Sequence, residues 1–340
     1  MVNELNGLSG SGLIKSAQFA KIFILSNVLA VPLLLTHYFI YPFNSFAVWF
    51  VHATGMRVTE GFSYSLFLYL FNVLYTFVVF IVFFGVFARP VGVRIARDIS
   101  FKRAKIPVVL GCVAVTLVVM SAGNFFSDMV DRFLQTVIGV QPHIAPPLTA
   151  SSHTWTAFLC AIFFTACWPA LIEEFAFRGV LLNAVKPYSR PAAVAVSSLL
   201  FGIMHGNLIQ MPFALTLGIA FGIIYLKTNN LWVTVACHFA VNLYAVTLDF
   251  IGGKAAEITG IVIIAAAVVG ALVFASVMIA THERRKNRAA ETDVYTAVNK
   301  RPRNVGLTHW QKTVLFFVSP LMIWAVAMFV MEMVENLTPT

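Results

Sequence analysis

Residues 106–128 read IPVVLGCVAVTLVVMSAGNFFSD, and from Ile106 to Ser127 no side chain carries a charge. A helix rising 1.5 Å per residue needs roughly 20 residues to cross about 30 Å of hydrocarbon, so this stretch can span a bilayer. Similar stretches recur near 22–43, 63–88, 153–185, 191–209, 211–226, 231–251, 258–280 and 313–334. The expected fold is therefore all-α: a polytopic transmembrane helix bundle of about nine spans, with eight as the alternative count. The first span reads as a retained helix, because its apolar run is long for a cleaved signal and lacks a small-x-small exit site. The span at 153–185 exceeds one perpendicular crossing and must tilt or run past the headgroups. The next two are joined only around Asn207 to Pro212, so their turn is a candidate for lying within the membrane.

Composition agrees. Of 340 residues 59% are apolar and only 11% charged, 32 are phenylalanine, and the mean hydropathy is +0.85. So little charge cannot cover a soluble globule of this length, and disordered, collagenous or disulfide-stapled chains are excluded as well. Cys112, Cys160, Cys167 and Cys237 all fall inside apolar spans and read as small packing residues. A net charge of +9 would raise nucleic acid as a partner of a soluble protein. In a membrane protein, excess Lys and Arg mark cytoplasmic loops instead. With a cytoplasmic N-terminus, nineteen of the 23 basic residues fall inside, Arg57, Arg132 and Lys254 outside, and Arg178 within a span. No nucleic acid is expected, and membrane lipids are the expected surroundings, most simply those of the cell membrane. The basic cytoplasmic loop at 281–312 is either a solvated linker or a dock for anionic headgroups, at about 1 kcal/mol per basic residue. Three regions follow: N-terminal spans at 1–150, a core at 151–255, and C-terminal spans with the basic loop at 256–340.

Charges inside a bilayer cost at least about 2.5 kcal/mol each, so an intramembrane charge is a functional candidate. The fourth span concentrates three, in Glu173-Glu174-Phe175-Ala176-Phe177-Arg178-Gly179. Glu174 and Arg178 lie four apart on one helical face, with the acid on the favourable N-terminal side, and most simply neutralise each other. Glu173 points about 100° away and has no intrahelical partner. A carboxylate left over in this way, facing a polar cavity, suits a general base. The fifth span carries Phe201-Gly202-Ile203-Met204-His205, and the seventh carries His238-Phe239-Ala240-Val241-Asn242. His238 and Asn242 share a face and could aim two donors at one oxygen. Taken singly, each intramembrane histidine reads more simply as a satisfied packing residue. Counted along the helices at 1.5 Å per residue, Glu173, His205, His238 and Asn242 fall within about 10 Å of one plane. Gly218 and Gly222, four apart in the sixth span, read as close packing within the bundle rather than a dimer seam.

These three motifs, in this order and spacing, resemble the CPBP (Abi) family of intramembrane proteases, whose relatives include the type II CAAX prenyl endopeptidases. That family has Glu-Glu-x-x-x-Arg, then Phe-x-x-x-His, then His-x-x-x-Asn or Asp on successive membrane helices. Here they are Glu173-Glu174 with Arg178, Phe201 with His205, and His238 with Asn242. Gly179 and Leu231-Trp232 also fit, while Val233 departs where a proline often follows the tryptophan. The likeness runs from Glu173 to Leu243 and leaves out the flanking spans.

The resemblance implies a glutamate-based endopeptidase acting near the cytoplasmic side on a peptide or protein, lipidated or not. Glu173, assisted by His205, would activate water, with Glu174 open as a partner in the base role; His238 and Asn242 would stabilise the oxyanion, and Glu174 and Arg178 would orient the helix and tune Glu173. No cofactor is implied. Zinc held by Glu and two His is the competing chemistry, against which stand the missing His-Glu-x-x-His and ligands on separate helices. Two alternatives to an enzyme stay open. One is a non-catalytic relative that binds a membrane partner as an immunity or regulatory protein. The other is a proton-coupled transporter using Glu173 and Glu174 as a relay, although no inverted repeat is evident. The oligomeric state is left open.

Overall fold

The computed structural model describes residues 2–54, 62–142, 154–292 and 306–339. Among these, seven helices are long and apolar enough to cross a membrane. They are α1 (Val2–Thr54, with its apolar span at Ile14–Ile40), α2 (Tyr69–Ala88), α3 (Ile106–Ile138), α4 (Trp155–Val185), α6 (Gln210–Thr228), α7 (Leu231–Ile251) and α8 (Gly253–Thr292, with its span at Gly253–Glu283). Between α4 and α6 lies the shorter α5 (Arg190–Ile203). The chain ends in α9 (His309–Phe317) and α10 (Pro320–Glu335), bent 71° from each other, and counting this pair as one span gives eight. The protein is a multi-pass, all-α integral membrane protein. A two-stranded ladder, Val140–Pro142 against Leu337–Pro339, ties the end of α3 to the chain end.

Each of the nine expected segments contains a helix, but α5 ends at Ile203, has 14 residues and rises about 21 Å, short of a crossing. Its end is written locally. Gly206 adopts φ +61°, a left-handed conformation natural to glycine, and Asn207 then accepts the amides of Ile209 and Gln210 at 2.8 and 3.2 Å to start α6. The start of α5 is equally local: Ser189 caps the Ala192 amide at 3.1 Å and Pro191 fills a position where no amide partner is needed. Asn230 caps α7 through the Trp232 amide at 3.0 Å. At the basic end, α8 continues as helix to Thr292, so the first part of the expected 281–312 loop is helical, and 293–305 lie outside the described residues.

The second half of α4 is the pole of the bundle. Every residue from Ala176 to Val185 is buried, as befits a helix packed on all sides. Residues of α1, α5, α9 and α10, among them Leu29, Leu200, Phe316 and Phe329, join it in one apolar cluster. Helices α5 and α6 pack backbone to backbone. A Cβ at Gly218 would stand 3.0 Å from Ser198 Cα, and one at Gly222 3.2 Å from Val194, so the glycine pair serves packing inside the bundle.

Candidate active site

The backbone around the acidic pair is unusual. Pro169 interrupts α4 just upstream, since it has no amide to donate. Immediately after Glu174 the hydrogen bonding widens to the π pattern over Phe175–Leu182, a departure that recurs at functional sites. Glu173 and Glu174 close the regular turn before it, and the 100° step between neighbours sends them to different surroundings.

Glu174 turns inward and is wholly buried, as is Arg178. One guanidinium nitrogen of Arg178 donates to Glu174 Oε1 at 2.7 Å, and another donates to the Gly218 carbonyl at 3.1 Å. The guanidinium carbon lies 4.6 Å from the centre of the Phe201 ring and 5.1 Å from that of Phe221. A desolvated cation over an aromatic face gains about 2 kcal/mol, and here two faces share it. Arg178 therefore joins α4, α5 and α6 through one side chain. The pairing expected from the i,i+4 spacing is present, and the phenylalanine of the second motif serves as a wall for the arginine of the first.

His238 completes the buried set from α7. Its ring stacks on Phe221 at 5.2 Å, and Nδ1 lies 3.2 Å from Glu174 Oε1. A carboxylate oxygen can only accept, so Nδ1 carries the hydrogen and donates. The other ring nitrogen, Nε2, faces Glu173 Oε2 at 3.9 Å. That gap is too long for a direct hydrogen bond. An oxygen atom about 2.8 Å from both would complete a triangle between them.

Glu173 forms no hydrogen bond within the described residues and borders a cavity of about 460 Å³. His205 lines the same cavity. Its Nδ1 lies 2.7 Å from the Phe201 carbonyl, which can only accept, so Nδ1 is the protonated nitrogen and Nε2 of the neutral ring is left as an acceptor. Asn242 lies one turn beyond His238 on α7, half-buried, and is not among the residues lining this cavity. The structure thus ties Glu174, Arg178 and His238 together, sets His238 Nε2 3.9 Å from Glu173, and puts Glu173 and His205 on the wall of one cavity that His238 does not line. Asn242 stands further along the same helix.

Sequence reasoning missed the rest of the polar wall. His37 from α1, Asn72 and Tyr75 from α2, and Glu332 from α10 line the same cavity as Glu173. His37 Nδ1 lies 3.6 Å from Glu332 Oε2, and the Tyr75 hydroxyl donates to the Thr36 carbonyl at 3.3 Å. Glu332 carried a usable signal, being a charge inside an otherwise apolar run. His37, Asn72 and Tyr75 are isolated residues with no motif around them. Among the described residues, no three His, Cys, Asp or Glu side chains are grouped so as to hold a metal ion.

Comparison with known proteins falls on the same stretch. Residues 154–244 match the family model described as type II CAAX prenyl endopeptidase Rce1-like. The chain is 32% identical over 101 residues to the membrane-embedded CAAX protease MroQ of Staphylococcus aureus, covering 28% of this chain and 41% of that protein. It is 28% identical over 80 residues to the putative membrane peptidase YdiL of Bacillus subtilis, covering 23% of this chain and 33% of that protein. The matches span between a third and two-fifths of the length of these relatives, and no solved structure matches.

Proposed function

We propose that the cavity is the active site of an intramembrane endopeptidase in which Glu173 activates water to cleave a peptide bond. The observation that carries this reading is the unequal fate of the two glutamates. Glu174 is consumed by Arg178 and His238, whereas Glu173 faces the cavity with its Oε2 3.9 Å from His238 Nε2. Water between Glu173 and the His205 Nε2 acceptor gives up a proton to the Glu173 carboxylate as its oxygen attacks the carbonyl carbon. The negative charge that develops on the carbonyl oxygen is stabilised by His238 with hydrogen on both ring nitrogens, Nδ1–H held by Glu174 and Nε2–H on the Glu173 side, a donor worth about 3–4 kcal/mol in comparable sites. The C–N bond then breaks, and the proton held by Glu173 passes to the leaving nitrogen. Glu174 and Arg178 hold His238 and α4 in place and do not touch the reacting atoms. No metal enters this sequence.

The aromatic lining, with Phe71, Phe80, Phe177 and Phe201 among it, suits an apolar polypeptide segment or a lipidated one. Support for protease chemistry comes from the matching family model and from the printed descriptions of the two relatives. The test is cleavage of a library of membrane-segment peptides by purified protein, with wild type beside Glu173→Ala and with a metal chelator present or absent. Wild-type cleavage that ignores the chelator and is lost in Glu173→Ala is the expected result. Cleavage abolished by the chelator would replace the mechanism by a metal-dependent one, and equal cleavage by both proteins would remove Glu173 from the chemistry.

A further inference from the structure

A second cavity, of about 690 Å³, lies at the other end of α6, about 28 Å along that helix from the 204–209 turn beside the candidate active site. Its two halves differ in kind. The mouth carries Lys102, Arg103, Lys105 and Lys227, all exposed. None of the four has a carboxylate within ion-pairing distance among the described residues; the nearest acid in sequence, Asp98, is taken by Arg97 at 2.7 Å. Below them the walls are apolar, with Val108 and Val115 from α3, Ile223 from α6 and Phe274 from α8. The loop bearing three of the cations is pinned. Ser100 accepts the Leu231 amide at 2.9 Å, and the Asn230 side chain donates to the Lys102 carbonyl at 2.6 Å. One wall belongs to α8, of whose span only 6% is buried, and Ile223 on the facing wall is 43% exposed, so bilayer hydrocarbon reaches the lining.

Four uncompensated cations above an apolar slot at a membrane-facing helix end match one kind of molecule, with a phosphate at its head and a hydrocarbon chain below. We propose that this cleft is a binding site for an anionic phospholipid of the surrounding leaflet. The phosphate sits among the four basic side chains, and one acyl chain lies along Val115, Ile223 and Phe274. A free phosphate would leave the slot unfilled, and a zwitterionic lipid would bring its own cation against the four. The site stands apart from the Glu173 cavity and does not depend on what that cavity does.

Full-length protein in a neutral detergent, titrated with dioleoyl phosphatidylglycerol, dioleoyl phosphatidylcholine or glycerol 3-phosphate and read by native mass spectrometry, tests the proposal. Phosphatidylglycerol should bind as one tight equivalent, at least about tenfold more strongly than phosphatidylcholine, with glycerol 3-phosphate competing poorly. Each basic residue near an anionic headgroup contributes about fivefold, so the triple variant Lys102→Gln, Arg103→Gln, Lys227→Gln should weaken that equivalent about 100-fold. These residues are exposed, so the variant should keep its fold. Val115→Trp, which fills the slot and keeps every charge, should lose the lipid as well. Equal affinity for the two lipids, or unchanged binding by the triple variant, would overturn the proposal. Competition by glycerol 3-phosphate at matching concentrations would reduce the site to a simple anion site and overturn its lipid character.

Discussion

Helices α4 and α8 have spans of the same length, 31 residues each, yet they occupy opposite situations. The α8 span is the more apolar and carries no charge in its interior, but only 6% of it is buried. The less apolar α4 holds Glu173, Glu174 and Arg178, and its second half is enclosed on all sides. In water the greasier segment would be the interior one. In a bilayer the lipid tails are as apolar as leucine, so hydropathy marks the surface and partnered polarity marks the core. Charge is tolerated in α4 because the buried pair is met, Arg178 by a carboxylate, a carbonyl and two rings and Glu174 by Arg178 and His238, while Glu173 faces the cavity.

The contrast can be broken from either side. Arg178→Ala leaves Glu174 buried without its cation and should cost about 3–5 kcal/mol, read as unfolding in a denaturant titration in detergent. A cost under about 1 kcal/mol would mean that the pair is not structural. In α8, Val269 is 62% exposed and faces lipid. Val269→Arg should cost about 2.5–3.5 kcal/mol of insertion, measured in a membrane-insertion assay, because nothing there can pair with it. Insertion as efficient as wild type would show that α8 is shielded by a partner. A Cβ at Gly218 would press on Ser198, so Gly218→Ala should overpack the α5–α6 contact and cost about 1–3 kcal/mol in the same denaturant titration. The smallest effect lies outside the membrane, at Asp98. Hydrogen bonds from the Arg97 side chain and the Arg94 amide hold its carboxyl below its ordinary value of 3.8. A carboxyl lowered in the folded state adds stability that is complete above that value and lost as pH falls through the folded one. Melting followed from pH 6 to pH 3 should show this loss only below about pH 4, and Asp98→Asn should remove it.

Much of this comparison is legible in the residues themselves. Uncharged length gives the spans, and the spacings within Glu174–Arg178 and Phe201–His205 anticipate which side chains turn toward one another. Three things are not legible. The α5 segment looks continuous to residue 209 by hydropathy, but Gly206 and Asn207 are a local stop and start that apolar content masks. The π turns after Glu174 follow no residue pattern that marks them in the sequence. The rest of the cavity wall is a matter of tertiary arrangement. His37 and Glu332 stand nearly 300 positions apart in the chain, and only the packing of α1 against α10 joins them. The same limit applies to His238. Its spacing from Asn242 says nothing of Glu174, on which one ring nitrogen is spent, so that Nε2 is the nitrogen facing Glu173.

The central claim is a division of labour between neighbours, with Glu174 as scaffold and Glu173 as the reacting carboxylate. Purified Glu173→Gln and Glu174→Gln should therefore be compared for peptide cleavage and for denaturant stability in one experiment. The account predicts that Glu173→Gln unfolds within about 1 kcal/mol of wild type while its cleavage falls by about 10²–10⁴. Glu174→Gln should lose about 3–5 kcal/mol of stability, because Arg178 is left without its anion. Wild-type cleavage by a folded Glu173→Gln, or a Glu174→Gln variant as stable as wild type, would contradict it.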